Sequence, residues 1–214
     1  MIIDCNGKKI IFIHVQKSGG SSIVNFFKKP KNHNKIKIDI KYLNEKKEDI
    51  NDYFKFTVIR NPWDRMVSFY HYHKEKILKN DNPTETWKYL KDLTFKKFLK
   101  STKFQKWALV NNITDFITYN KKTYIDYYIN FENFENDFKV VKQISGMENK
   151  LLEENKSIHK SYKHYYNDKS KKIIDFLFKK EIKFFNFKFD EKINSKILNR
   201  NSKIRFYYKK KYDN

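Results

Sequence analysis

The feature that most constrains the fold of this chain is a pair of adjacent glycines after a short apolar run. The run covers residues 10–15, and Gly19 and Gly20 are two of only four glycines among the 214 residues. Glycine permits positive φ angles and lets a ligand come close to the backbone. The segment that follows, residues 21–27, has the apolar content of a short helix. The pattern therefore predicts a strand, a tight loop and a helix.

This loop is a candidate anion site. The start of a helix offers backbone N–H groups and a partial positive charge, and the loop adds a lysine and several hydroxyl groups. In an ordinary P-loop the lysine follows the second glycine, whereas Lys17 precedes both glycines, which argues against a typical ATPase or kinase. A purely structural Gly-Gly turn is the alternative. The candidate phosphate-binding residues are Lys17, Ser18, Gly19, Gly20, Ser21 and Ser22.

A second constellation follows a second buried-strand candidate at residues 54–59. Asn61 suits a helix N-cap and Pro62 the first helical position. Arg60 ends the strand, and Ser68 lies two turns into the helix, so the pair is predicted to bind one phosphate. A surface salt bridge of Arg60 at the helix start is the alternative. The apolar residues of this helix recur at helical spacing and are predicted to face the core: Trp63, Met66, Val67 and Tyr70. The other side of the helix is a polar stripe: Asn61, Arg65, Ser68 and Tyr72.

Charge narrows the class of ligand. The chain has 47 lysine and arginine residues against 25 acidic residues, a net charge of +22. Such a field attracts phosphates, sulfates and acidic glycans, although most lysines are simply solvated.

The single cysteine, Cys5, excludes an internal disulfide framework, and no metal site is predicted. No signal peptide or apolar run of about 20 residues is found, which predicts a cytoplasmic protein without a transmembrane segment.

The remaining pattern alternates strands and helices. It predicts a polar loop at residues 28–37, helices at 38–51, beyond residue 83, at 132–144 and at 173–185, and a strand at 124–131. Alternation of this kind predicts an α/β fold, a P-loop-like parallel β-sheet flanked by helices. We expect a single domain over residues 1–214, in which residues 190–214 form a basic C-terminal extension with Lys209–Lys211 near its end.

Both constellations resemble elements of the carbohydrate branch of the PAPS-dependent sulfotransferases. Residues 11–22, IFIHVQKSGGSS, resemble "FIHIPKTGGTS", and residues 56–70, FTVIRNPWDRMVSFY, resemble "FAFVRNPWDRLVSAY". The resemblance implies that residues 17–22 bind the 5′-phosphosulfate of PAPS and that Arg60 and Ser68 bind its 3′-phosphate. Phe131-Glu132-Asn133-Phe134 is similar to a further "FENL" segment. Gln16 replaces the usual proline, which implies a less rigid loop.

The resemblance also implies a reaction. A sulfuryl group moves from PAPS to a hydroxyl group of a carbohydrate or related acceptor, and adenosine 3′,5′-bisphosphate is released. Lys17 is assigned to the bridging oxygen, where negative charge develops. His33 resembles a "KHxT" histidine of the family and is the leading candidate for the general base. For His14 a structural role is expected, and His71 and His73 are expected at the surface or the acceptor edge.

Three other interpretations remain open from the sequence. A basic nucleic-acid-binding protein is compatible with the charge and the interleaved aromatic residues, although no zinc-finger, basic-zipper or RNP signature is present. An ATP-dependent kinase lacks the Gly-Lys-Ser order. A catalytically inactive nucleotide-binding relic would keep the fold alone. The positive charge favours an acidic or polysaccharide acceptor and no specific nucleic acid, and the sequence does not indicate an oligomeric state.

Overall fold

The computed structural model describes residues 1–5, 7–79, 85–152, 159–193 and 199. Its strands are β1 Ile2–Cys5, β2 Lys8–Ile13, β3 Phe54–Ile59, β4 Thr118–Tyr119, β5 Lys122–Thr123 and β6 Tyr127–Asn130. Its α-helices are α1 Gly20–Phe26, α2 Ile36–Glu45, α3 Pro62–Leu78, α4 Phe95–Lys100, α5 Thr102–Leu109, α6 Ile113–Ile117, α7 Phe134–Ser145, α8 Asp168–Leu177 and α9 Lys179–Phe185. Short 3-10 helices cover Ile50–Asp52, Glu85–Asp92, Phe131–Asn133 and Tyr162–Tyr165.

The described residues fall into two compact units. The first takes its residues from 1–59, 113–152 and 192–214, and the second from 60–112 and 153–191. That the whole chain is a single domain stays a prediction. Of the predicted basic extension, only residues 190–193 and 199 are described, and Lys209–Lys211 lie outside the described residues.

The first unit is built on a four-stranded sheet in the order β1-β2-β3-β6. Strands β2, β3 and β6 are parallel, and β1 pairs with β2 in antiparallel fashion with Ile2 opposite Ile11. The predicted α/β fold, parallel strands flanked by helices, is thus confirmed. The sheet is mixed because β1, which the sequence analysis missed, folds back at Gly7, where φ is +77°. A hairpin of this kind needs only a tight turn, whereas parallel neighbours need a long crossover.

The middle of this sheet is covered on both faces. Every residue of β3 is buried, as expected for a strand with helices on both sides. On one face the rings of Phe12 and Phe56 stack with centroids 4.9 Å apart, and Phe26 of α1 meets Phe138 of α7 edge to face at 4.9 Å. The buried residues of this core are Met1, Ile3, Cys5, Ile10, Phe12, Ile23, Val24, Phe26, Phe27, Phe54, Phe56, Val58, Tyr127, Ile129, Phe138 and Val141.

A buried ion pair fixes how β6 approaches β3. The Lys55 ammonium lies 2.8 Å from Asp126 Oδ2, and both side chains are almost fully buried. The same carboxylate accepts a hydrogen bond from the Lys55 backbone N–H, and the Asp126 N–H donates to the Lys55 carbonyl. These bonds lead into the parallel register that places Phe56 opposite Tyr127.

In the second unit, α3 begins where the sequence predicts. Asn61 Oδ1 accepts hydrogen bonds from the Trp63 N–H at 3.0 Å and the Asp64 N–H at 3.4 Å, and Pro62 is the first helical residue. The Asn61 amide group donates to the Lys188 carbonyl, so this cap also holds the segment after α9. Trp63, Met66, Val67 and Tyr70 are all buried, as their spacing indicates.

Most of the polar stripe of α3 is buried as well, which its sequence does not reveal: Asn61, Arg65 and Ser68 are buried and Tyr72 is half-buried. Arg65 is 1% exposed, and its Nη2 donates to both carboxylate oxygens of Glu181, at 2.8 and 3.0 Å. The guanidinium also lies over the Phe178 ring, 5.1 Å from its centroid. A helix that was expected to have a core face and a polar face therefore packs on both sides.

Several predicted boundaries shift. The predicted helix at 173–185 is two helices, and the first starts earlier because Asn167 and Ser170 form a reciprocal capping box. The helix predicted at 38–51 ends at Glu45, and the strand predicted at 124–131 is confined to Tyr127–Asn130. The helical stretch predicted beyond residue 83 consists of several short helices.

The buried ion pair of α3 gives a stability test. Replacing Glu181 by alanine leaves the Arg65 charge buried without its carboxylate, so we expect the free energy of unfolding to fall by about 3–5 kcal/mol. The exposed pair Lys79–Glu75 is the matched control, and Glu75→Ala is expected to cost less than about 1 kcal/mol. Urea denaturation followed by circular dichroism measures both. Equal losses in the two variants would contradict the interpretation.

Candidate functional site

The loop between β2 and α1 contains an unusual backbone conformation at Lys17. Its φ is +60°, in the left-handed region that costs a non-glycine residue about 1–2 kcal/mol. The other non-glycine residues with positive φ in the described part of the chain lie at helix ends or in the β4–β5 hairpin turn: Lys28, Lys47, Asn120, Lys121 and Asn186. Lys17 instead lies between a strand and the start of a helix. Strain at such a position points to a functional constraint on the lysine.

The polar groups of this loop suit a ligand rich in acceptor oxygens. Ser18 is fully buried, and its hydroxyl group has no hydrogen-bond partner among the described residues. Gly19, with φ +79°, is the N-cap of α1; no side chain caps this helix, and its first turn contains no acidic residue. Buried hydroxyl groups normally have partners, so an unpartnered Ser18 beside an uncapped helix start fits a phosphate or sulfate group.

Packing also requires both glycines of the loop. A Cβ atom at Gly20 would lie 2.1 Å from Cδ2 of the His14 ring, and one at Gly19 would lie 3.0 to 3.3 Å from the Phe134 and Phe131 rings. From the sequence, these glycines are predicted to bind a ligand or, as the alternative, to form a structural turn. The contacts with the neighbouring rings support a structural role, and this role is compatible with a ligand that approaches the backbone.

The structure brings His33 to the end of β2. Its ring lies 4.1 Å from the His14 ring, centroid to centroid, and its Nδ1 is 3.1 Å from the His14 carbonyl oxygen. The predicted polar loop that contains His33 thus contacts the chain at His14, three residues before Lys17. Sequence reasoning treated His14 and His33 separately, and no pattern in the chain signals that they pair.

The surroundings of the two rings lower the pKa of both, mainly through burial. Burial, the neighbouring His33 and Lys31 lower the pKa of His14 to about 3, against a weaker hydrogen bond with the Asn32 backbone. His14 is therefore neutral at neutral pH. Because a carbonyl oxygen only accepts, Nδ1 of His33 carries the proton and its Nε2 is left as the basic atom. Partial burial lowers the pKa of His33. The hydrogen bond to the His14 carbonyl raises this pKa, and the nearby Lys31 ammonium lowers it further.

Arg60 and Ser68 lie in the second unit. Arg60 is 8% exposed, and its Nε donates to Asp64 Oδ2 at 2.7 Å, so the salt bridge considered as an alternative exists, although it is largely buried. This bond uses one of the five N–H donors of the guanidinium. Ser68 is 3% exposed on α3. Their convergence on one phosphate, and the sharing of one nucleotide with Lys17–Ser22, stay predictions.

The other histidines sit in aromatic surroundings. The His71 ring stacks on His159 at 5.2 Å and meets Tyr165 edge to face, and the His73 ring lies 4.4 Å from Phe69. Both His71 and His73 are half-buried, and a position at the acceptor edge, the other expectation for them, stays a prediction. Their rings are occupied by packing, which weakens them as candidates for the general base.

Other kinds of site receive no support from the described part of the chain. It contains no group of three or more histidine, cysteine or acidic residues placed to hold a metal ion. None of its helices is both long enough and apolar enough to cross a membrane. A surface hollow of about 450 Å³ is lined by Lys139, Lys142, Gln143, Gly146 and Glu148, none of which is a predicted site residue.

The contact of Gly20 with His14 is testable. Gly20→Ala forces a methyl group against a buried ring, and we expect a loss of about 1–3 kcal/mol in the free energy of unfolding. Backbone strain does not contribute to this loss, because Gly20, unlike Gly19, has no positive φ. In a His14→Ala background the Gly20→Ala substitution should cost clearly less. Equal costs in both backgrounds would show that the ring does not exclude a side chain there.

No curated protein and no solved structure matches the chain significantly. A family model described as "Sulfotransferase family" matches residues 1–189, which include the Lys17 loop, His33, Arg60 and Ser68. The match covers most of the 214 residues. The chain therefore belongs to the sulfotransferase family.

Proposed function

We propose that this protein transfers a sulfuryl group from PAPS to a hydroxyl group of a carbohydrate or related acceptor. Family membership supports sulfuryl transfer in general. The single observation that supports an anionic donor in this chain is the loop at the end of β2, where a strained Lys17 adjoins a buried, unpartnered Ser18 hydroxyl group. A phosphosulfate would supply the acceptor oxygens for these donors.

The donor-binding residues divide into two sets. Lys17, Ser18, Gly19, Gly20, Ser21 and Ser22 would hold the 5′-phosphosulfate through backbone N–H groups, hydroxyl groups and one ammonium group. Arg60 and Ser68 would hold the 3′-phosphate. Support for Arg60 is its near-complete burial, because a guanidinium in low dielectric binds an anion more strongly than one in water.

His33 would act as the general base. As the acceptor oxygen bonds to sulfur, the bond from sulfur to the bridging oxygen breaks and the hydroxyl proton must be removed. Nε2 of His33 is suited to take this proton, because Nδ1–H is engaged by the His14 carbonyl. The Lys17 ammonium would stabilise the charge that gathers on the bridging oxygen.

The acceptor is proposed to be a glycan. The net charge of +22 favours an acidic or polysaccharide acceptor over a neutral small molecule.

Calorimetry with adenosine 3′,5′-bisphosphate tests donor binding directly. The wild type should bind, and Lys17→Ala and Arg60→Ala should each weaken binding at least about tenfold, since each removes a charge-assisted contact. The control is Lys79→Ala, which removes an exposed lysine and should leave the Kd unchanged. Transfer from labelled PAPS to a panel of glycans then identifies the acceptor class.

Two results would overturn the proposal. The first is an Arg60→Ala or Lys17→Ala variant that is folded by circular dichroism and binds the bisphosphate like the wild type, which would refute the assigned role. The second is tight, salt-sensitive oligonucleotide binding without affinity for the bisphosphate, which would favour the nucleic-acid-binding interpretation.

The pKa of His33 predicts a pH dependence of transfer. The neutral imidazole is the base, so kcat should fall on the acid side, and it should do so below the ordinary histidine value of about 6.5, because partial burial lowers the pKa. His33→Ala should lower kcat and abolish this acid limb, while the Kd of the bisphosphate stays unchanged. His73→Gln is the control and should retain the limb. An unchanged profile in His33→Ala would move the base elsewhere.

A further inference from the structure

Two phenylalanine side chains on consecutive helices are exposed to solvent. Phe176 of α8 is 72% exposed and Phe184 of α9 is 49% exposed. Phe176 is the most exposed large hydrophobic side chain in the described part of the chain. Single exposed apolar residues are common, but two that share a surface with many charges call for an explanation.

Each of the two residues lies on the solvent-exposed side of its own helix. Phe178, with φ −109° and ψ 22°, separates α8 from α9: its N–H donates to the Ile174 carbonyl and its carbonyl accepts from the Ile182 N–H. Within each helix, residues at i and i+4 share a side. The opposite side is buried at Ser170, Ile174, Leu177, Phe178, Glu181 and Phe185.

Lysines occupy the same outward side. Lys172 precedes Phe176 by four residues, and Lys180 precedes Phe184 by four. With Lys179 and Lys183 they form four exposed lysines beside the two rings. Of the acidic residues in these helices, Asp168 and Asp175 are exposed, whereas Glu181 is buried against Arg65. We call Lys172, Phe176, Lys179, Lys180, Lys183 and Phe184 the α8–α9 face.

We propose that the α8–α9 face docks the protein on the surface of a bilayer that contains anionic phospholipid. The lysines would contact the headgroups and the two rings would enter the boundary with the acyl chains, as in other amphipathic surface helices. A soluble polyanion would use the lysines alone. The exposed rings gain free energy only where they leave water for an apolar medium, and this favours a bilayer as the partner.

Helix α2 offers a matched control surface. Ile38 is 44% exposed and Tyr42 is 49% exposed, again four residues apart, with Lys37 and Lys41 exposed beside them. The Tyr42 ring is already covered on one side by the Lys46 ammonium, 6.0 Å from its centroid. This surface also combines exposed apolar side chains with lysines, but it has one ring instead of two and two of these lysines instead of four.

Vesicle sedimentation of the full chain tests the proposal. The wild type should bind vesicles of phosphatidylcholine with about 30% phosphatidylserine and not vesicles of phosphatidylcholine alone. The variants Phe176→Ser/Phe184→Ser and Lys172→Gln/Lys179→Gln/Lys183→Gln should each bind at least about tenfold more weakly. Ile38→Ser/Tyr42→Ser and Lys37→Gln/Lys41→Gln should bind like the wild type. All variants should keep the thermal unfolding midpoint and the bisphosphate affinity of the wild type.

The outcomes separate membrane docking from its rivals. The proposal is wrong if the wild type does not bind anionic vesicles. It is also wrong if the α2 variants lose as much vesicle binding as the α8–α9 variants. If the phenylalanine variant keeps full vesicle binding while the lysine variant loses it, the face is a general polyanion surface and the membrane assignment is wrong. The same holds if the phenylalanine variant loses affinity for single-stranded oligonucleotides instead of vesicles, since exposed rings also stack on bases. None of these results depends on sulfuryl transfer.

Discussion

The contact between the His14 ring and Gly20 is the constraint on which the candidate site depends. The ring fills the space that a side chain at position 20 would need, so α1 starts directly above the end of β2. The same ring contacts the His33 ring, and the His14 backbone carbonyl accepts the Nδ1 proton of His33. One residue thus borders the Lys17 loop through its ring and sets the tautomer of the proposed base through its carbonyl.

Each unit contains a buried ion pair, although an apolar pair at the same place would not carry the desolvation free energy of two charges. Lys55 with Asp126 fixes the approach of β6 to β3, and Arg65 with Glu181 fixes the approach of α9 to α3. Such pairs contribute little net stability compared with a well-packed apolar alternative. Their geometry is directional, so they select one arrangement of the elements they join. We infer that these pairs matter for register more than for stability.

The excess of lysine is used unevenly over the protein. Near the β2–α1 loop, Lys31 lies close to His14 and His33, whose pKa values are lowered mainly by burial, and positive charge there favours an anionic ligand. On α8 and α9 the lysines alternate with exposed phenylalanines. A net charge is a property of the whole chain, whereas a binding surface is defined by which charges share a side with which apolar groups.

The sequence by itself determined the features that are local. The order of strand, glycine loop and helix, the helix start at Asn61-Pro62 and the core spacing of α3 each depend on residues within a few positions of one another, and so does the likeness to sulfotransferases. Only the tertiary structure decided the antiparallel β1, the burial of Arg65 and the pairing of His14 with His33. The physical reason is distance along the chain: the partner of Arg65 lies 116 residues away, and that of His33 lies 19 residues away. Periodicity reports which side of an element is apolar, but only the folded chain determines what covers the other side.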